Sequence, residues 1–452
     1  MSTLAFGKAI PDEPITSIEQ LVALFRRAFK TPAQHKVGVE IEELPARADG
    51  SAVPYDAPEG PTIRALLEKL GPAARMQPIL ERGRIIGLQG ASGGVSLEPG
   101  GQVEFSSAPA TNLHELAALA GTHTRRVREI GAALGIRWAD QGYQPIARLA
   151  AQEWMPKERY RIMRAYLPGR GRLALRMMSQ TGSLQCSFDF SDEADWQRKF
   201  RAAHALTPII QAIFANSPFR NGRPNGFLSY RTRVWEQTDG QRCGMLPSAF
   251  SEQVEFGDYV QYALDVPMMF LIRKGNWVPM NGTSFRRFME KGYEGSFPTT
   301  EDWSLHLSGI FTHVRLKTYI EVRAHDLVAP PLRLAVPALW KGIFYDREAL
   351  EAALALAGPL SHAQADALMV RLSRLGLRAR HAGRPLLDTA RELVRIAAEG
   401  LKRQRRRNRN GQDETIYLRP LEELLKAGRT PAEEILSLYE TAWQRDLRRG
   451  LS

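Results

Sequence analysis

The stretch KVGVEIEELP, residues 36–45, alternates apolar and polar side chains in the manner of a strand with one buried face. Side chains two apart on a strand point the same way, so Val37, Val39 and Ile41 cover one surface while Gly38, Glu40 and Glu42 share the other. Two carboxylates on one face repel each other. Either that face is open to water or something cationic sits between them.

Residues 17–30 ahead of this strand, SIEQLVALFRRAFK, read as an amphipathic helix with Ser17 in cap position. Beyond it, a helix over about 62–70 leads into ERGRIIGLQGASGGVSLEPGGQVEFSSAP (81–109). There β-rich pieces flank glycine-dense turns, with bends predicted at Gly93-Gly94 and Gly100-Gly101. Helices are predicted over 112–134 and 191–215, and strands over 136–139 and 182–190. In the second of these helices Trp196, Phe200, Ala203, Leu206, Ile210 and Phe214 recur at helical spacing, and His204 beside them reads as a packing residue. In RLKTYIEVRAHD (315–326), Tyr319, Glu321 and Arg323 share one face of a further strand. From about residue 346 the texture turns to Ala, Leu, Arg and Glu with helical period. The expected organisation is therefore a catalytic α+β domain over 1–345 and a helical C-terminal region, 346–452, packed on it. Interleaved helices and hairpins argue for an α+β fold on a largely antiparallel sheet with helices on one side. Neither a GxGxxG nor a GxxxxGK[ST] loop supports a doubly wound parallel sheet.

The chain has 452 residues, 44% apolar and 24% charged, as in ordinary folded proteins. Its net charge of +12 comes from 61 basic residues set among 49 acidic ones, which suits a polyanionic ligand anywhere from a nucleoside triphosphate to nucleic acid. One block is strongly one-signed, LKRQRRRNRN at 401–410. Two cysteines, Cys186 and Cys243, without a CxxC, argue against a disulfide framework or thiolate metal centre and predict a cytoplasmic protein. No signal peptide is expected at the N-terminus, and no apolar run approaches the ~18 residues of a membrane helix.

Glu40 and Glu42 are joined by Glu98 and Glu104 in SLEPGGQVEFS (96–106), where Gln102 shares the face of Glu104, and by Glu321. Magnesium takes oxygen ligands, usually one or two carboxylates with water and phosphate oxygens. A solvated face accounts for each pair taken singly; three strands carrying the pattern point to a nucleotide and metal cleft. RYRIMRAYLPGRGR (159–172), FLSYRTRVW (227–235) and EVRAHD (321–326) supply Arg159, Arg161, Arg231, Arg233 and Arg323, whose guanidinium forks suit carboxylate or phosphate. Arg159, Arg161, Arg233 and Gln102 are the candidate contacts of a bound nucleotide. Such a site suits phosphoryl transfer to a carboxylate.

Seven segments in order, GVEIEE (38–43), GGVSLEPGGQVEFSSAP (93–109), RYRIMRAYLP (159–168), FRAAHALTPIIQAIFANSPFRNGRPNGFLSYRTRVW (200–235), GMLPSAFSEQVEFGDYVQYALDVPM (244–268), DWSLHLSGIFTHVRLKTYIEVRAHD (302–326) and LRLAVPALWKGIFYD (332–346), resemble the plant-type glutamate-cysteine ligase family, which bacteria also carry. The resemblance implies a glutamine-synthetase-like fold, an antiparallel sheet forming a funnel with helices outside. It also implies that ATP phosphorylates the γ-carboxylate of glutamate and an amine displaces the phosphate. On this basis Glu40, Glu42, Glu98, Glu104 and Glu321 would hold Mg²⁺ and, through it, ATP; Arg231 would grip glutamate and Arg323 would neutralise the transferred phosphoryl group. Departures from the family pattern at Met269 and across 327–332 predict a more apolar acceptor pocket. They leave open whether cysteine or another amine is the acceptor. A nucleic-acid-binding protein on an inactive ligase scaffold is the remaining alternative, and it needs aromatics among the basic residues, which 401–410 lacks. The expected partners are small-molecule substrates, with neither nucleic acid nor membrane.

Overall fold

Strand β1, Val37–Ala46, is the hub of the sheet, pairing with three other strands. The computed structural model describes residues 12–452; residues 1–11, on which most of the signal-peptide expectation falls, lie outside them. Eight more strands complete the main sheet: β2 Gln77–Glu81, β3 Arg84–Gly90, β4 Gly93–Leu97, β5 Val103–Ser107, β6 Arg137–Ala139, β7 Ser183–Phe188, β8 Val314–Leu316 and β9 Ile320–Asp326. Their order is β8-β9-β7-β1-β5-β4-β3-β2, with β6 on the far end of β1, and every pairing is antiparallel. This is the expected α+β architecture.

Among the described residues ten helices precede the last two strands in sequence, of which the first seven are α1 Ile18–Arg26, α2 Ile63–Ala74, α3 Leu113–Leu134, α4 Glu158–Tyr166, α5 Ala174–Gln180, α6 Glu193–Ile213 and α7 Tyr230–Glu236. Ser17, Thr62, Asn112, Asp192 and Ser229 each cap the helix that follows by accepting a backbone N–H, so these starts are written in the local sequence. The apolar face of the sheet, with Val37, Val39 and Ile41 of β1, Leu184, Cys186 and Phe188 of β7, and Ile320 and Val322 of β9, packs on α6 and on the helix Ala335–Phe344 in one core. Trp196, Phe200 and Leu206 of α6 are fully buried in it. So is His204, whose Nδ1 lies 2.9 Å from the Phe200 carbonyl, as befits a packing residue.

Beyond residue 346 the chain is helical apart from a two-residue ladder, and Leu350, Leu372, Leu393 and Leu401 enter that same core. The helices Ala335–Phe344 and Leu386–Gln404 cross at backbone contact: a Cβ on Gly400 would stand 2.0 Å from the Gly342 carbonyl oxygen. At one of the predicted bends the structure differs. The β3–β4 turn falls at Ala91-Ser92, and Gly93 already belongs to β4, where a Cβ would lie 2.1 Å from the Ser106 oxygen of β5. The glycine is there for close strand approach rather than for turning.

Strand β9 is irregular. Glu321 and Val322 face Ser187 and Cys186 of β7, then the register slips so that His325 faces Leu184. Arg323 and Ala324 together oppose the single residue Gln185, a bulge that turns His325 inward, where it accepts a 2.7 Å hydrogen bond from the Trp340 indole. Arg231 at the start of α7 holds the bulge by donating to the carbonyls of Ala324 (3.1 Å) and Arg323 (3.0 Å).

Candidate active site

The face of the sheet opposite α6 carries polar side chains in rows fixed by strand register. Glu40 stands across from Gln185, and Glu42 across from Glu104, which in turn stands across from Ser96. Ser183, Gln185 and Ser187 occupy this face of β7 because Leu184, Cys186 and Phe188 are claimed by the core. A narrow cleft runs over the sheet here, floored by Glu40, Glu42, Glu98, Glu104, Gln185 and Arg323. It is covered by Arg159, Tyr160 and Met163 of α4, Met177 and Met178 of α5, and Trp235 of α7.

Charge is graded across this floor. Burial raises the carboxyl of Glu40 to about 7, helped by repulsion from Glu104 and Glu321. Burial also raises Glu42 to about 8, with repulsion from Glu104 and Glu98. Glu104 is raised by burial and by Glu98, although Ser96 Oγ donates to its Oε1 at 3.1 Å. Tyr160 Oη donates to Glu98 Oε1 at 3.2 Å. Lys157 Nζ, lowered to about 8 by burial, is bound to the Leu97 carbonyl at 2.7 Å beside these acids. At the other end Arg315 Nε (2.6 Å) and Arg323 Nη1 (2.8 Å) converge on Glu321 Oε2, while Lys317 Nζ stands 3.2 Å from Oε1. Burial opposes ionisation of Glu321, but Arg315, Lys317 and Arg323 outweigh it and hold its carboxyl well below the usual range. Gln185 lies between the two poles: its Nε2 donates to Glu42 Oε1 at 3.0 Å and its Oε1 accepts from Arg323.

Of the sequence-predicted residues, Glu40, Glu42, Glu98, Glu104, Arg159 and Arg323 are brought together in the cleft. Arg159 reaches it with its guanidinium over Phe270 (5.3 Å) and Trp277 (6.0 Å), its Nε without a protein partner. Arg161 is not in the cleft: it is exposed on the far side of α4 and bonded to Glu158 at 2.5 Å. Arg233 likewise turns away and pairs with Glu236 at 2.9 Å. Both misplacements have one cause. These segments are helices, on which residues two apart point in different directions, so only one arginine of each pair can face the sheet. Arg231 is on the correct side, but two of its donors hold the bulge carbonyls.

Gln102 lines the cleft wall with its amide committed to the backbone, donating to Met178 O (3.1 Å) and Thr181 O (3.0 Å) and accepting from Gly100 N (2.9 Å); it braces the β4–β5 turn against α5. Both oxygens of Glu321 are occupied by cationic side chains, so it stands as their counter-ion rather than as an open ligand. The departures at Met269 and 327–332 do not shape the cleft: Met269 packs against Gly309, and Leu327, Val328 and Leu332 belong to the core. Residues the sequence reading passed over include Gln185, Lys157, Tyr160 and Arg315. The alternation Ser183-x-Gln185-x-Ser187 on a strand, and Arg315 facing Glu321 across a short hairpin, were the available signals.

Among the described residues no three His, Cys, Asp or Glu side chains form a ready-made coordination sphere. The donor set nevertheless fits magnesium. Glu40, Glu42 and Glu104 are carboxylates whose burial and mutual repulsion call for a cation, and Mg²⁺ needs only one or two of them because water and phosphate supply its remaining oxygens. Ionised carboxylates in this cluster disfavour the metal-free fold. Their folded pKa values lie above those of the unfolded chain, so stability present at low pH is lost as pH rises through about 7 to 8. The metal-free protein should therefore melt several degrees lower at pH 8.5 than at pH 6, and millimolar Mg²⁺ should restore more of the loss at the higher pH; thermal melts with and without Mg²⁺ measure both.

Among the described residues no helix is long and apolar enough to cross a membrane. The sequence pattern of glutamate-cysteine ligase family 2 matches residues 36–451. The chain is 39% identical over 440 residues to glutamate–cysteine ligase B, chloroplastic, of Oryza sativa subsp. japonica, spanning 96% of this chain and 86% of that protein. It is 40% identical over 437 residues to the chloroplastic ligase of Solanum lycopersicum (95% and 81%), and 38% identical over 439 residues to that of Arabidopsis thaliana (96% and 82%). The chloroplastic names of these relatives overturn the cytoplasmic location expected from the two cysteines. Both thiols are free in the structure, which bears on redox milieu and does not select a compartment. The crystal structure of a glutamate–cysteine ligase from Francisella tularensis in complex with AMP has the same fold, with a TM-score of 0.56 at 13% identity over 91% of this chain and 86% of that one. The glutamine-synthetase-like ligase fold is thus the one found, and the chain belongs to glutamate-cysteine ligase family 2.

Proposed function

We propose that this chain, an ATP-dependent ligase by family, joins the γ-carboxylate of glutamate to the amino group of cysteine, with Mg²⁺ held on Glu40, Glu42, Glu98 and Glu104. The observation that carries the reading is the graded floor of the cleft, carboxylates at one end and guanidinium groups at the other. A γ-carboxylate oxygen of glutamate takes the terminal phosphoryl group of ATP and ADP leaves; the cysteine amine then attacks the acyl carbon, phosphate departs and the amine loses a proton. Bound magnesium would offset the charge of the ATP oxygens. Arg323, steadied by Glu321 and Gln185, meets the charge that develops on the phosphoryl group as it moves, where positioning and neutralisation are most of the catalysis. Arg159, a cationic side chain lining the cleft, is placed to meet an anionic group of the substrate. The α4, α5 and Trp235 cover keeps water from the acyl phosphate.

The test incubates the protein with ATP, Mg²⁺ and glutamate against a panel of amines and follows phosphate release with product mass. Cysteine should give one phosphate per γ-glutamyl dipeptide, with other amines at least about tenfold slower, since a site built to pair a substrate's polar groups rejects analogues that lack them. Absence of turnover with glutamate and cysteine, or equal turnover with an unrelated amine, would defeat the reading.

A further inference from the structure

Gln185 places a neutral side chain between Arg323 and Glu42 at the point where the two poles of the cleft meet. Its amide is buried, 2% exposed, and each end is matched to what it touches. Nε2 donates to Glu42 Oε1 (3.0 Å) and Ser183 Oγ (3.2 Å), and Oε1 accepts from the Arg323 guanidinium. The β9 bulge sets Arg323 and Ala324 opposite this one residue of β7, so the arginine is aimed at Gln185 by the backbone and not by chance of rotamer. An arginine and a carboxylate separated by one amide in a buried cleft attract strongly, and a direct bidentate pair is the geometry a guanidinium favours.

We infer that Gln185 is a positioning residue that acts as a spacer, holding Arg323 off Glu42 so that the carboxylates stay available to a divalent cation and the guanidinium to an anion. This rests on the proposed reading of the cleft as a metal and phosphoryl site. With the amide removed, Arg323 closes onto Glu42 and each pole cancels the other. A charged side chain in place of the amide keeps Arg323 on its own side but binds it too tightly to follow the substrate.

Mn²⁺ binding to the full chain without nucleotide, read from the free-ion signal by electron paramagnetic resonance, separates these roles from mere packing. Gln185→Met, close in length and without polar ends, should bind Mn²⁺ about 10- to 100-fold more weakly, the range seen when residues that orient metal ligands are lost. Adding Arg323→Ala to Gln185→Met should return the affinity to that of Arg323→Ala alone, because the group that collapses onto Glu42 is gone. A Gln185→Met protein that binds Mn²⁺ like wild type, or a double variant as weak as Gln185→Met, overturns the inference. Should Gln185→Met not melt cooperatively, Gln185→Glu decides: it should bind Mn²⁺ at least as well as wild type while ATP-dependent phosphate release falls at least tenfold, and weaker binding counts against the spacer. Glu42→Gln is the control for the reading beneath. If it leaves Mn²⁺ binding unchanged, the metal site itself is misassigned and the spacer falls with it; if it weakens binding while Gln185→Met does not, only the spacer fails.

Discussion

Arg323→Ala should lower the turnover number at saturating ATP and Mg²⁺ by about 10³-fold, the scale on which an arginine stabilises a phosphoryl group in transit. The fold should survive. Glu321 keeps two of its three cations, Arg315 at 2.6 Å and Lys317 at 3.2 Å, so no buried carboxylate is abandoned. The Arg231 clamp on the bulge uses the backbone carbonyl of residue 323 and does not need its side chain. Turnover should therefore collapse with little change in melting temperature, and Arg323→Lys should recover only part of the rate because an ammonium cannot span Glu321, Gln185 and a phosphoryl oxygen as a fork does. Steady-state phosphate release with parallel thermal melts is the measurement; a loss under tenfold would remove Arg323 from the chemistry.

Glu42→Gln should move activity and stability in opposite directions. Turnover should fall at least about 10²-fold, comparable to losing one preorganised electrostatic contact. The metal-free protein should melt higher than wild type, because one of three mutually repelling buried carboxylates has become neutral. The size of the gain depends on pH. With Glu42 raised to about 8, keeping its carboxyl in the fold costs progressively more as pH climbs above the ordinary carboxylate value, so the variant already gains at pH 6 and gains most above pH 8. Melts at pH 6 and 9 in chelator, beside kinetics in Mg²⁺, check both halves. A variant less stable than wild type at pH 9 would show that Glu42 is held by favourable contacts and is not a strained ligand.

The strands were legible because side-chain alternation on β1 and β7, and on β9 as far as Arg323, follows the burial of one face, and that alternation placed Glu40, Glu42 and Glu104 on a common surface. The helices were legible from their caps and apolar period. Direction on a helix was not carried over to Arg159/Arg161 and Arg231/Arg233, although the rule that residues two apart diverge would have split each pair. Glu321 shows a different limit. Its strand and face were read correctly, but its occupation by Arg315, Lys317 and Arg323 depends on a hairpin register that only pairing fixes. Gln102 shows a third: a polar residue on the right face whose amide is spent on the backbone of α5, a segment far away in sequence.

The β9 bulge lets odd-numbered residues of one strand serve opposite faces of the sheet. Two residues opposing one reverses the strand's parity, so that Glu321 and Arg323 serve the cleft while His325, an odd-numbered neighbour, serves the core. Pairing one to one past Arg323, with every residue kept and no bulge, would exchange the faces of everything after it, sending the imidazole that caps Trp340 toward the cleft and the carboxylate of Asp326, which gathers Asn216, Ser217 and Ser229, into hydrocarbon; the extra residue at 324 keeps His325 opposite Leu184 and Asp326 opposite Ser183.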